Sequence, residues 1–138
     1  MTTRSGETRS GGDPWPDLAG RLTDGGHVLP VRVYFEDTDF TGVVYYANYL
    51  RYAEAGRTEF LRDRGISLSA FHEQGYLFVV VEAHAKYRAP GRYDDLLDVQ
   101  TRLSDVSALT LTFESRIYNQ HGKHLTTVTA KLACVNSD

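Results

Sequence analysis

The sequence lacks the features that mark several large classes of protein. It contains one cysteine, Cys134, so no disulfide bond can form within the chain, as is typical of proteins in a reducing compartment. No apolar run approaches the roughly 18 residues of a membrane-spanning helix, and no secretory signal is visible at the N-terminus. The net charge is −3, which argues against the basic surface of a nucleic-acid-binding protein. These absences predict a cytoplasmic protein without a nucleic-acid partner.

The composition divides the chain into two parts. The 138 residues fit one domain, and the 41% of hydrophobic residues predict a packed core. The first part is rich in glycine, serine, threonine and aspartate and contains Pro14 and Pro16. We therefore predict a flexible tail over residues 1–27 and a folded domain over residues 28–138.

The spacing of apolar residues predicts one long helix and five strands. Alternation of apolar and polar residues indicates strands at 28–36, 76–89, 96–106, 109–118 and 125–135. Spacings of three and four predict a helix over residues 46–64. The buried stripe of this helix is expected to contain Tyr49, Leu50, Ala53, Gly56, Phe60 and Leu61. Gly56 indicates close packing against a sheet, Gly65 is expected to cap the helix, and a short helical turn is predicted at 69–74.

The order of these elements defines the fold class. The last four strands are joined by short connections, which indicate antiparallel neighbours. One long helix cannot provide a crossover for every strand, so a doubly wound parallel sheet is excluded. We predict an α+β fold in which a curved antiparallel sheet wraps around one long central helix.

The loop before the long helix is the first candidate for chemistry. Its sequence, "EDTDFTGVVYY", places Asp39 upstream of a helix start near Tyr46. Unpaired amides at a helix N-terminus can bind a developing oxyanion, and a nearby carboxylate can act as nucleophile or general base. Gly42 permits a tight reversal of the backbone. Alternatively, such acids only cap the helix, and this structural role is our interpretation of Glu36 and Asp37.

The stretch "KYRAPGRYDD" at residues 86–95 is the second candidate. Lys86, Arg88 and Arg92 bring three cations close together, and such a group could bind phosphates. The alternative is a solvated strand end in which Arg92 pairs with a neighbouring aspartate. The five histidines show no familiar metal spacing, and no nucleophile elbow or glycine-rich nucleotide loop is present, so no metal site is expected.

Two long stretches resemble a known family. "VRVYFEDTDFTGVVYYANYLRYAEAGRTEFLR" and "FVVVEAHAKYRAPGRYDDLLDVQTRL" are similar to the hotdog-fold acyl-CoA thioesterases of the 4-hydroxybenzoyl-CoA thioesterase group. Within that group they most resemble the Tol–Pal-associated branch of YbgC type. The resemblance covers about residues 29–135 and includes the motifs D-x-D-x-x-G-V-V-Y, N-Y-L-R and A-P-x-R-x-D-D-x-L in order.

The resemblance implies a hotdog fold and hydrolysis of an acyl-CoA to the free acid and CoA. Asp39 would be the catalytic carboxylate, and the backbone N–H near Tyr46 would polarise the thioester carbonyl. CoA phosphates would meet Arg88 and Arg92. The residues expected to shape the acyl pocket are Gly42, Val43, Val44, Tyr45 and Tyr49. CoA is part of the substrate, no separate cofactor is implied, and the family assembles as homodimers or homotetramers with active sites at the dimer interface.

Tyr46 departs from the Tol–Pal branch, which usually has histidine there, so only the backbone role carries over to this position. This departure keeps open an aromatic acyl-CoA thioesterase of the 4-hydroxybenzoyl-CoA type or an acyl-carrier-protein thioesterase on the same scaffold. A non-catalytic acyl-binding module of the cell-envelope system is the alternative from another class. A link to the Tol–Pal system or to acyl carrier protein is an expectation from the resemblance alone.

Overall fold

The computed structural model describes residues 16–136, which form three helices and six strands. No helix within this range is both long and apolar enough to cross a membrane. The elements follow in the order α1 (Pro16–Ala19), β1 (Arg21–Thr23), β2 (Gly26–Arg32), α2 (Asn48–Asp63), α3 (Leu68–Glu73), β3 (Tyr76–Tyr87), β4 (Leu96–Val106), β5 (Thr110–Tyr118) and β6 (His124–Asn136).

The six strands form one antiparallel sheet that holds the long helix. The spatial order is β1-β2-β4-β5-β6-β3, so β3 and β1 are the two edge strands. Helix α2 contacts β1, β2, β4, β5 and β6. The predicted α+β hotdog architecture is therefore confirmed, with one long helix against a curved sheet.

The buried face of α2 supplies the centre of the core. Its buried residues are Tyr49, Tyr52, Ala53, Gly56, Phe60 and Leu61. Tyr49, Tyr52 and Ala53 belong to one cluster with strand residues such as Leu97, Val99, Ile117 and Val128. Phe60 and Leu61 belong to a second cluster with Phe113, Ala130 and Leu132. The predicted stripe is confirmed except at Leu50, which is 41% exposed. Leu50 follows Tyr49 by one residue, which places it about 100° around the helix from Tyr49 and at the edge of the buried stripe.

The predicted first strand ends earlier than its alternation suggests. Strand β2 stops at Arg32, and Phe35–Asp37 form a 3-10 turn. The Asp37 carboxylate accepts a hydrogen bond from the Tyr34 N–H, which stabilises this turn in place of a strand ladder. The long helix begins at Asn48 instead of residue 46, because Tyr45 to Ala47 form the turn that leads into it.

Residues 16–27 form ordered elements, in contrast to the tail that their composition predicts. Helix α1 is followed by the hairpin of β1 and β2, in which Arg21 pairs with Val28. Gly25 adopts a φ of +79° at the hairpin turn, so glycine here serves a tight turn. His27 is 1% exposed, and its Nε2 lies 3.0 Å from the Asp63 carboxylate at the end of α2. The rest of the predicted tail, residues 1–15, lies outside the described residues.

Candidate active site

A tight hairpin presents Asp39 directly before the helix. Thr38 and Val44 pair across it, and the Asp39 N–H donates to the Val43 carbonyl at 2.9 Å. The Gly42 N–H donates back to the Asp39 carbonyl at 2.9 Å, and Gly42 has a φ of +84°. Because few other residues adopt that conformation, glycine is what allows the hairpin to close. Asp39 therefore has a defined backbone position.

The Asp39 side chain is kept ionised by its own hairpin. One oxygen, Oδ1, accepts the Thr41 N–H at 2.8 Å and the Thr41 hydroxyl at 2.6 Å. These hydrogen bonds, the hydroxyl's foremost, hold the pKa of the Asp39 carboxyl below its ordinary value. The other oxygen, Oδ2, has no hydrogen-bond partner among residues 16–136. Asp39 thus combines a charged carboxylate with one oxygen that remains available.

The start of α2 offers two unpaired amides close to this hairpin in sequence. Ala47 is the N-cap residue and has no side-chain group that could cap the helix. The Asn48 N–H donates to the Tyr45 carbonyl at 2.8 Å. Neither the Tyr46 N–H nor the Ala47 N–H finds an acceptor in the part of the chain that the structure describes. Free donors at a helix N-terminus carry partial positive charge and suit an oxyanion.

Asp37 connects the hairpin to the helix start through hydrogen bonds. It is 3% exposed, and its carboxylate accepts hydrogen bonds from the Tyr34 N–H and from Arg51. Its backbone carbonyl accepts the Tyr45 N–H and the side-chain amide of Asn48. These contacts agree with the interpretation of Asp37 as a structural residue.

The stretch at residues 86–95 lies against the same hairpin. Val43 pairs with Arg92, and the Val44 N–H donates to the Gly91 carbonyl at 2.8 Å. The Gly91 N–H donates in turn to the Tyr49 hydroxyl oxygen at 2.9 Å. The two stretches singled out in the sequence are therefore joined by backbone contacts.

The cations of this stretch are exposed. Arg88 and Arg92 form no ion pair with any residue of the described range. The alternative, in which the Arg92 side chain pairs with Asp94 or Asp95, is not what the structure shows: Asp94 lies near Arg32, and the Asp95 carboxylate accepts the Arg92 backbone N–H. Both guanidinium groups are thus available for an anion.

The residues expected to shape an acyl pocket divide into two groups. Gly42, Tyr45 and Tyr46 are exposed, and Val43 is half-buried. Val44 and Tyr49 are core side chains, so any contribution they make to a pocket comes from its inner wall. The Tyr45 and Tyr46 rings lie 5.0 Å apart between centroids. An aromatic surface therefore borders the helix start.

Sequence reasoning missed two residues that act on this site. Thr41 holds the Asp39 carboxylate, and its position two residues after an aspartate is the pattern of an Asx turn. Tyr87 donates its hydroxyl to the Tyr46 carbonyl at 3.1 Å, a contact between residues 41 positions apart. The first could have been found from the local pattern, whereas the second depends on the tertiary fold.

The other candidate regions contain fewer side chains that are free to bind or react. A groove of about 450 Å³ on the sheet includes Arg21, Arg102, Arg116 and Glu114 in its lining, but no residue of the hairpin or the helix start. Arg102 and Arg116 both donate to the Glu114 carboxylate, so these charges are already engaged. Within residues 16–136, no three His, Cys, Asp or Glu side chains are grouped so that they could hold a metal ion.

Comparison with known proteins agrees with this fold. The family model described as the thioesterase-like superfamily matches residues 33–138. An acyl-CoA thioesterase YbgC of Haemophilus influenzae is 41% identical over 116 residues, which cover 83% of this chain and 85% of the relative. The chain belongs to the thioesterase-like superfamily, and it is a thioester hydrolase.

Solved structures support the same assignment of fold. A probable thioesterase from Bartonella henselae superposes with a TM-score of 0.74 at 36% identity, covering 80% of this chain and 92% of the other. A DHNA-CoA thioesterase from Staphylococcus aureus gives a TM-score of 0.78 at 25% identity, covering 80% and 74%.

Proposed function

We propose that the protein hydrolyses the thioester of an acyl-CoA to the free acid and CoA, with Asp39 as the reacting carboxylate. The observation that carries this proposal is the combination of an ionised Asp39 with the two unpaired amides at the start of α2. A carboxylate and preorganised amide donors are the groups that acyl transfer needs. The acyl-CoA thioesterase relative at 41% identity supports the choice of substrate class.

Two routes use these groups. In the first, an Asp39 oxygen attacks the thioester carbon, CoA leaves as the thiolate, and water hydrolyses the resulting anhydride. In the second, the carboxylate takes a proton from water, the hydroxide attacks the same carbon, and CoA leaves as the thiolate, which takes up that proton. In both routes the carbonyl oxygen becomes an oxyanion, which the Tyr46 and Ala47 N–H groups would stabilise. The free Oδ2 of Asp39 serves either route.

We further assign the CoA phosphates to Arg88 and Arg92. Both side chains are exposed and unpaired among the described residues, and both belong to the stretch that contacts the hairpin. Guanidinium groups bind phosphate through two parallel hydrogen bonds. The resemblance to the family supports the same assignment.

An aromatic acyl group is the second candidate substrate. The exposed Tyr45 and Tyr46 rings beside the helix start could stack on an aromatic acyl group. An aliphatic chain would instead depend on Val43 and on the inner wall formed by Val44. An acyl-carrier-protein thioester is a third candidate substrate. A cytoplasmic location and a link to the Tol–Pal system stay predictions.

We also propose that the active form is a homodimer or homotetramer in which two copies meet along β3. This edge strand exposes three consecutive valines, Val79, Val80 and Val81, at 38%, 48% and 53%. An uncovered apolar edge strand is a template for pairing with another strand. A second copy would cover it by extending the sheet.

The test is hydrolysis of a panel of acyl-CoAs, measured as release of free CoA thiol. The panel contains butyryl-, palmitoyl- and 4-hydroxybenzoyl-CoA, and butyryl-acyl carrier protein is included as a separate substrate. We expect turnover of at least one acyl-CoA well above the uncatalysed rate. Tight binding of the acyl-CoAs with no thiol release would contradict the proposal and favour a non-catalytic module.

A further inference from the structure

Tyr87 connects the edge strand to the start of the helix. It is the last residue of β3, and its hydroxyl donates to the Tyr46 carbonyl at 3.1 Å. Its ring contacts Tyr46 edge-on with centroids 6.0 Å apart and Tyr49 at 5.7 Å. The side chain therefore makes one polar and one aromatic contact with Tyr46, just before α2, and one aromatic contact with Tyr49 in its first turn.

The hydrogen bond from Tyr87 is made to the Tyr46–Ala47 peptide, which carries one of the two amides proposed to bind the oxyanion. The carbonyl of Tyr46 and the N–H of Ala47 belong to the same planar peptide, so fixing one group fixes the direction of the other. The Ala47 N–H is one of the two amides without an acceptor among residues 16–136. A hydrogen bond to the carbonyl also polarises the peptide and strengthens its N–H as a donor.

Little else in the described structure holds this carbonyl. Its other hydrogen bond comes from the Tyr49 N–H at 3.4 Å, which is long for a backbone contact. By contrast, the neighbouring Tyr45 carbonyl receives the Asn48 N–H at 2.8 Å. Partial desolvation raises the pKa of the Tyr87 hydroxyl above the ordinary tyrosine value, which already lies well above neutral pH, so the group is a protonated donor.

We propose that Tyr87 is a positioning residue for thioester hydrolysis: its hydroxyl orients the Tyr46–Ala47 peptide so that the Ala47 N–H points at the developing oxyanion. This inference rests on the proposed function. Tyr87 acts through the peptide and does not take part in the proton or acyl transfer. Its hydroxyl is needed for the transition state, whereas its ring serves packing.

Tyr87→Phe separates the hydroxyl from the ring, because phenylalanine retains the contacts with Tyr46 and Tyr49. We expect kcat to fall roughly tenfold with KM changed less than about twofold, since the lost orientation affects the oxyanion more than the bound substrate. The melting temperature should stay near the wild-type value. Tyr76→Phe is the matched control, since Tyr76 begins the same strand, is 44% exposed, and its hydroxyl has no partner within the described residues.

A second measurement makes the inference independent of turnover. In ¹⁵N-labelled protein the Ala47 amide resonance should shift in Tyr87→Phe and stay in place in Tyr76→Phe. If wild type hydrolyses an acyl-CoA and Tyr87→Phe has the same kcat, the inference is overturned while the proposed function stands. A rise in KM together with a loss of thermal stability in Tyr87→Phe would also overturn the inference alone. If wild type hydrolyses no acyl-CoA, the proposed function fails, and an unshifted Ala47 resonance would then overturn the anchoring as well.

Discussion

Asp37 and Asp39 differ in what their carboxylates are free to do. Asp37 is buried, and both of its oxygens are engaged, one by Arg51 and one by the Tyr34 N–H. Asp39 is partly exposed and uses one oxygen for Thr41, while the other has no partner in the described structure. Two acids of one motif thus separate into a structural residue and a candidate reactive residue.

Thr41→Val tests whether the hairpin tunes the reactive carboxylate. The Thr41 hydroxyl is the largest cause of the lowered Asp39 pKa, so its removal should raise that pKa. The reaction needs the carboxylate form, and activity is therefore lost as the pH falls through this pKa. We expect the acid limb of the kcat/KM profile to move to higher pH in Thr41→Val.

Thr38→Val is the matched control for this experiment. Thr38 lies in the same hairpin, but its hydroxyl donates to the Phe35 carbonyl and not to Asp39. The acid limb of the kcat/KM profile of Thr38→Val should coincide with that of wild type. Equal displacement of the limb in both variants, or no displacement in Thr41→Val, would show that the hydroxyl does not set the Asp39 pKa.

The packing of α2 on the sheet depends on the absence of a side chain at one helical position. A Cβ at Gly56 would lie 2.7 Å from the Thr101 hydroxyl and 2.8 Å from Val99 Cγ1. Both distances are well below van der Waals contact, so the helix or the sheet would have to move. The helix that Gly56 packs against the sheet, α2, is also the helix whose N-terminus carries the unpaired amides.

Gly56→Ala is therefore expected to lower the free energy of unfolding by up to about 2 kcal/mol. Overpacking costs about 1–3 kcal/mol, and the better helix propensity of alanine offsets about 1 kcal/mol of it. Urea unfolding of wild type and variant measures the difference. If Gly56→Ala instead raises the free energy of unfolding, the space between α2 and β4 accommodates a methyl group, and the higher helix propensity of alanine determines the stability change.

Elements with a strict apolar period could be predicted from the sequence. Strand β4 occupies residues 96–106 as its alternation predicts, and Gly56 marks the helix–sheet contact as its position in the stripe indicates. Strand β1 could not be predicted, because three residues and a glycine turn give too short a pattern. The contact of Tyr87 with Tyr46 depends on how β3 meets the helix, and no spacing in the sequence encodes it.

Across the whole molecule, the uncovered edge strand β3 also reaches the candidate site. Strand β3 has β6 as a neighbour on one side and none among the described residues on the other. Its last residue, Tyr87, contacts the helix start, and the cations at 88 and 92 follow it. A second copy placed along β3 would therefore lie next to the proposed site.

Val81→Lys tests this assembly. We expect wild type to sediment as a dimer or tetramer at micromolar concentration and Val81→Lys to dissociate toward monomer, because a charge at a paired apolar edge is costly to bury. Leu109→Lys is the control, since Leu109 is 68% exposed in the turn between β4 and β5. A wild-type monomer at this concentration would contradict an assembly through β3.

The most direct test of the account is the kcat/KM of Asp39→Asn on the best acyl-CoA of the panel. Asparagine keeps the size of the side chain but removes the charge that attacks carbon or takes a proton from water. We predict a fall of roughly a hundredfold or more with unchanged folding. Glu36→Gln, which changes an exposed acid of the same motif, should retain the wild-type value. Undiminished turnover by folded Asp39→Asn would contradict the account.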